Sequence, residues 1–221
     1  MNLLTISDEE LSQLYSSTIK HRFSDVDIVL GCGDLSYSYL EFIISMLDKP
    51  LFFVRGNHAN QVEDTVAGPK HTPSGGVDLH RRTVDYNGLL LAGIEGCGQY
   101  NYGPYQYSQT EMWLSVFSLV PGLLSNYLRC GRYLDVFITH APPAGIHDMA
   151  DLPHRGIKAF NWIDRVFKPK YHFHGHIHVY RNSTQTTTKY FETTVINTYG
   201  YKQTSIEIPI IKKRRNQRED E

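Results

Sequence analysis

The 221-residue chain has only three cysteines, Cys32, Cys97 and Cys130, spaced far apart. Their odd number and wide separation exclude a closed disulfide framework and supply no C-x-x-C pair for a thiolate metal site. A reducing cytoplasm is therefore the expected setting. Long apolar runs are also missing. No stretch approaches a membrane span, and the opening "MNLLTISDEE" turns acidic too early for the apolar segment of a signal peptide. An excess of charge of either sign is absent too: 22 Lys and Arg against 23 Asp and Glu leave a formal net charge of -1. No global field then favours nucleic acid or an anionic membrane as partner. The oligomeric state is left open by the sequence.

What remains is ordinary globular composition, 41% hydrophobic and 20% charged, long enough to bury a core. We expect one domain over residues 1–211. The last ten residues, "KKRRNQREDE", offset their own basic run and pack nothing, so 212–221 reads as a disordered tail.

Short runs rich in Val, Ile, Leu and Phe recur, each ending in a Gly, Asp, Asn or His cluster: "LLTISD", "DVDIVLGCGD", "LFFVRGNH", "DVFITH" and "YHFHGHIH". They read as buried strands with polar residues at their carboxyl ends. Helical spacing predicts helices over 9–20 and 37–47 between the first three, so this half alternates strand and helix and implies a mainly parallel sheet. Asn87-Gly88 between two strand-like runs signals a hairpin, which predicts a second, antiparallel sheet. Ser108 and Glu111 offer a capping box for a helix broken or restarted at Pro121. A helix over 157–167 and two late strands, in "TTVINTYGY" and "TSIEIPII", complete the order.

In "YHFHGHIHVY", residues 171–180, histidines alternate from His172 to His178. Alternation puts side chains on one face of a strand, which suits a metal site or, the commoner case for His-x-His alone, a polar row facing water. The other strand ends are more informative. Asp8, Asp34, Asn57, His58, His140, His176 and His178 stand at five of them. In open sheets, chemistry sits on loops beyond strand carboxyl ends. Carboxylate, amide and imidazole in one place is the donor mixture of a two-metal centre, because a carboxylate can bridge two ions and imidazole suits Zn, Fe and Mn.

Five of these segments, "SDEE" at 7–10, "GD" at 33–34, "GNHA" at 56–59, "TH" at 139–140 and "GHIH" at 175–178, follow in order the motifs of the calcineurin-like metallophosphoesterases, which the chain resembles over about residues 2–200. The resemblance implies an α/β fold of two mixed β-sheets packed as a sandwich and flanked by helices, in four layers α/β/β/α. It implies hydrolysis of a phosphomonoester or phosphodiester by hydroxide generated between two divalent ions (Mn, Fe or Zn). Asp34 would bridge the ions. Asp8 and His178 would hold the first, and Asn57, His140 and His176 the second. His58 would assist at the leaving group, and His172 and His174 would pack or support.

Two positions depart from the family pattern. Glu10 stands where the first motif has histidine; it is either a ligand or a solvated first-turn carboxylate. Ala59 replaces the acid after "GNH", a place that Glu63 or Asp64 could fill from the next loop. Outside the motifs, His154 and Arg155 are candidates for binding substrate phosphate. Tyr100, Tyr102, Tyr105 and Tyr107 either stack on a substrate ring or pack their own loop. Residues 59–76 read as a mobile flap, with His71 facing solvent.

Overall fold

A computed structural model describes residues 1–59, 62–66, 68–181 and 183–208. The tail expected at 212–221 lies outside the described residues. In chain order the elements are β1 (Asn2–Ser7), α1 (Ile19–Arg22), β2 (Ile28–Cys32), α2 (Tyr37–Leu47), β3 (Leu51–Val54), β4 (Glu63–Thr65), β5 (Gly68–Lys70), β6 (Gly76–Asp78), β7 (Arg82–Tyr86) and β8 (Leu89–Ile94). There follow β9 (Cys97–Gly98), β10 (Gln106–Tyr107), α3 (Gln109–Cys130), β11 (Val136–Thr139), α4 (Lys158–Val166), β12 (Tyr171–His174), β13 (Thr187–Tyr190), β14 (Thr193–Asn197) and β15 (Gly200–Ser205).

Two sheets carry the architecture. The first has the order β15-β1-β2-β3-β6, parallel except for β15, which runs antiparallel to β1. The second has the order β13-β14-β12-β11-β8-β7, with a parallel centre and antiparallel edges. The hairpin foreseen at Asn87-Gly88 is present, with positive φ at both residues. It supplies only the β7 edge, so the expected antiparallel second sheet is instead mixed and mostly parallel. The crossovers through α3 and α4 impose this, because a helix between two strands returns the chain in the same direction.

Leu3, Ile28, Leu30, Phe52 and Val54 of the first sheet meet Leu89, Leu91, Val136, Ile138 and Phe173 of the second in the central layer. Outside the first sheet, Ile19, Tyr39, Ile43 and Leu47 of the two short helices pack on Leu4, Val29 and Phe53. Outside the second, Met112, Val116, Leu119, Leu123, Phe160 and Ile163 of α3 and α4 pack on Ala92, Ile94 and Phe137. The result is the four-layer α/β/β/α sandwich. Ile43 is fully buried, worth about 1.5–3 kcal/mol relative to exposure.

Local chemistry explains where elements start and stop. The Ser36 side chain caps α2 by accepting Tyr39 N–H, and Ser108 and Glu111 form the capping box of α3. α3 runs through Pro121 without a break. The missing donor there leaves a carbonyl on the helix's outer face, where water can reach it, while the inner face stays packed on both sides. Of the helix expected over 9–20 only Ile19 and Lys20 are helical, as the first two residues of α1. Leu11 N–H donates instead to the Tyr39 hydroxyl, the Glu10 carboxylate accepts Ser36 N–H, and Ser16 Oγ accepts Thr18 N–H. Hydroxyl-rich segments compete in this way with helical bonds. The 59–76 segment contains β4, β5 and the start of β6, and Lys70 ties it to Glu41 of α2 at 2.6 Å. Among the described residues no helix is long and apolar enough to cross a membrane.

Candidate metal centre

β1, β2, β3, β11 and β12 all release their chains at one edge of the sandwich. Asp8 (φ 64°), Asp34 (φ 55°) and His176 (φ 67°) each leave a strand in the left-handed region. Non-glycine residues rarely adopt it, and such strain clusters at functional sites. Neighbouring glycines let the loops close. A Cβ on Gly56 would collide with the Asp34 carboxylate, and one on Gly175 with Ser7 Oγ and the Asp8 carboxylate.

At the centre stands His140, fully buried. Its Nε2 lies 3.1 Å from Asp34 Oδ2, 3.0 Å from Asn57 Oδ1 and 3.1 Å from His176 Nδ1. The groups behind these atoms decide who carries protons. His140 Nδ1–H donates to the Cys32 carbonyl at 2.9 Å, and His176 Nε2–H donates to the Pro153 carbonyl at 2.7 Å. A carbonyl only accepts, so in the neutral rings Nε2 of His140 and Nδ1 of His176 are the nitrogens with lone pairs. Asn57 Nδ2 donates to the Tyr100 hydroxyl at 3.1 Å, which turns Oδ1 toward His140. Four acceptors therefore converge on one point, and such convergence is met by positive charge, a proton or a cation.

The electrostatics agree. Burial raises a carboxyl, but His140 and the His58 amide outweigh it and hold Asp34 down at about 2. Burial opposes charge on His140, yet Asp34 pushes it up to about 9. His176 is pushed down to about 3 by burial first and then by His140. The donor set fits a divalent ion: Asp34, His140 and His176 bring one ligand atom each within 4.8 Å of one another, with Asn57 Oδ1 beside them.

The other predicted residues are placed less tightly. The Asp8 side chain is buried, with both carboxylate oxygens 3.0 Å from His176 N, and burial pushes its carboxyl up. His178 is exposed, its Nε2 4.0 Å from Asp8 Oδ1 and its Nδ1 2.8 Å from the Tyr180 hydroxyl. His58 is exposed, its backbone N–H donating to Asp34 Oδ1 at 2.8 Å. The His154 ring lies 5.3 Å from that of His176, tilted by 44°, and pairs with Asp151, whereas Arg155 is exposed beside it. Glu10 is engaged elsewhere, its carboxylate accepting Ser36 N–H at 3.0 Å at the start of α2. Glu63, considered as a stand-in for the acid missing at Ala59, accepts Tyr37 N–H at 2.7 Å instead. Of the four tyrosines, Tyr100 holds Asn57, Tyr107 donates to Glu95, Tyr105 lies under Arg55, and Tyr102 is exposed.

"YHFHGHIH" divides at Gly175. The strand ends at His174, so His176 and His178 do not share its alternation. His172 is buried between Asp164 and Thr139, 2.9 Å from each. His174 Nε2 faces His147 Nδ1 at 2.9 Å. Two features had no motif to announce them. The Cys32 and Pro153 carbonyls belong to residue types that carry no signal, and Arg55, just before "GNH", anchors on Asp78 and Glu95. A cavity of about 610 Å³ opens beside His178, lined by Ile146, His147, Met149, Ile177, Tyr180 and Gln185 among others.

No curated protein matches the sequence. Among solved structures, one superposes with a TM-score of 0.60 at 14% identity, covering 91% of this chain and 93% of its own. A second, TT1561 of Thermus thermophilus, gives 0.56 at 13% identity, covering 90% and 89%. At these identities the likeness is one of fold. The model of the calcineurin-like phosphoesterase family matches residues 7–180, nearly the whole span that carries the motifs. The chain belongs to the calcineurin-like phosphoesterase family, which is metal-dependent.

Proposed function

We propose that the chain hydrolyses a phosphomonoester or phosphodiester at a dinuclear centre on this edge, acting as one unit over residues 1–211. In this reading Asp34, Asn57, His140 and His176 would hold one divalent ion, and Asp34, Asp8 and His178 would hold a second more loosely. Mn, Fe or Zn suits the mixed nitrogen and oxygen donors. When bound, such ions lower the pKa of water and offset charge on phosphoryl oxygens.

The chain's own groups do the rest. The Cys32 and Pro153 carbonyls keep the protons on the far nitrogens of His140 and His176. A ring nitrogen of exposed His58 donates a proton to the leaving oxygen. His154, held by Asp151, and Arg155 meet the phosphate from the loop after β11, and the cavity beside His178 receives the organic part of the ester. Three free cysteines, two of them buried, fit a cytoplasmic protein.

The observation that carries this reading is the convergence of four acceptors on one point. Purified protein should hydrolyse bis(p-nitrophenyl) phosphate or the monoester with added Mn²⁺, and His58→Ala should abolish turnover. A second reading, a weak or inactive binding protein on the same fold, draws on Glu10 being engaged at α2 and on Ala59 lying where the family carries an acid. Metal content separates them: two ions per chain with turnover supports the enzyme, one or none without turnover the binding protein.

A further inference from the structure

Arg55 stands two residues before Asn57, with a side chain only 11% exposed. Its guanidinium is engaged within the protein. Nε–H donates to the Tyr37 hydroxyl at 3.2 Å, Nη1 to the Asp78 and Glu95 carboxylates, and Nη2 to the His71 carbonyl at 3.2 Å. One planar fork thus joins α2, the 59–76 segment, the end of β6 and the turn after β8. The Arg55 main chain grips that turn as well. Its carbonyl accepts Gly96 N–H at 2.8 Å, and the Gly96 carbonyl accepts Ala141 N–H at 3.2 Å. The turn is held in one shape. Gly96 has φ 76°, a Cβ there would collide with the Tyr105 carbonyl, and the Tyr107 hydroxyl donates to Glu95 at 2.7 Å.

We infer that Arg55 is a positioning residue of the centre, setting the spacing of Asn57 and His140 through its double grip on Glu95 and Gly96. The inference rests on the reading of Asn57 and His140 as metal donors. Asn57 lies two residues beyond Arg55, and Ala141 directly follows His140. The two donor-bearing loops are therefore joined through Gly96, and their donor atoms, Asn57 Oδ1 and His140 Nε2, end 3.0 Å apart. Arg55 braces this arrangement and is itself no phosphate ligand, because its guanidinium is buried and already paired with two carboxylates. Lysine cannot take its place. A single ammonium on a flexible stem does not reproduce a rigid fork that reaches Tyr37, Asp78, Glu95 and the His71 carbonyl at once.

Three measurements on the full-length chain test this: amide exchange of the metal-free protein, calorimetric Mn²⁺ affinity and melting temperature. Arg55→Lys keeps a positive charge beside Asp78 and Glu95, so it should fold. Glu95→Gln keeps the side chain's shape and weakens only the grip on the turn. Both should speed exchange at Gly96 and Ala141 and lower Mn²⁺ affinity, Arg55→Lys by about 10–100-fold. Arg132→Lys is the control. It disturbs a comparable pair, Arg132 with Asp135, at the opposite end of β11, and should lower the melting temperature with Mn²⁺ affinity unchanged. Wild-type affinity or wild-type exchange in both Arg55→Lys and Glu95→Gln overturns the inference alone. An equal loss of affinity in Arg132→Lys does so too, because it marks a general effect of stability. A wild type that takes up no metal overturns the reading of the centre and this inference with it.

Discussion

His140 Nε2 and His176 Nδ1 face each other 3.1 Å apart, and the other nitrogen of each ring donates to a backbone carbonyl behind it. Two bare lone pairs at this distance would repel, so the pair calls for positive charge, a proton on His140 or a cation in its place. Asp34 and Asn57 add two more acceptors to the same point. The centre is thus built from strand ends brought together by the fold and oriented by the groups bonded behind them.

Tyr100 is such a group. Its hydroxyl accepts from Asn57 Nδ2 and keeps Oδ1 turned inward. Tyr100→Phe removes the hydroxyl alone, and losses at supporting positions of metal sites run to about 10–100-fold in affinity or activity. We expect Mn²⁺ affinity to fall within that range, measured calorimetrically, with the melting temperature little changed.

Gly56 and Gly175 let the loops approach the carboxylates, and neither position has room for a methyl group. Gly56→Ala and Gly175→Ala should each cost about 1–3 kcal/mol by overpacking and remove phosphoesterase activity. Chemical denaturation and turnover assays read the two effects separately.

Glu10 gives the opposite expectation. Its carboxylate serves the amino end of α2. Glu10→Ala should therefore lower stability by about 1 kcal/mol, the usual worth of a cap or hydrogen bond, and leave metal stoichiometry unchanged. A lost ion in this variant would show that Glu10 is a ligand.

Acid should destabilise the protein through His80 and His147. Burial pushes each of them down to about 4, helped by Arg81 at His80 and by His172 at His147. Both are neutral in the fold, whereas the unfolded chain takes up their protons below about 6.5. Their contribution is present above pH 6.5 and is lost as pH falls through 4. Melting temperature measured from pH 7 to 4 should drop, and the drop should be shallower in His80→Asn and His147→Asn.

How far these features are legible in the sequence depends on how local their causes are. The ends of β1, β2, β3, β11 and β12 are readable because buried runs stop at polar clusters, and α2 because a capping serine precedes a periodic apolar face. The 9–20 helix fails because its competitor, a bond network to Ser36 and Tyr39, is distant in sequence. The second sheet's parallel centre is hidden behind the hairpin signal at its edge. Within the centre, side-chain types and strand ends point to Asp34, Asn57, His140 and His176 together. Glu10's engagement elsewhere is not readable, nor are the carbonyls of Cys32 and Pro153, because every residue carries a carbonyl. The alternating histidines mislead in a different way: Gly175 and a left-handed His176 end the strand before the alternation can place the last two.

Calorimetric titration of Mn²⁺ into metal-free wild type and Asp34→Asn tests the central claim most directly. Asparagine keeps the shape of the Asp34 carboxylate and removes its charge. The account predicts saturable binding by the wild type and affinity weakened by at least about 100-fold in the variant, since a buried charged partner is worth several kcal/mol. Equal binding by the two proteins, or none by either with Mn²⁺, Fe²⁺ or Zn²⁺, would contradict it.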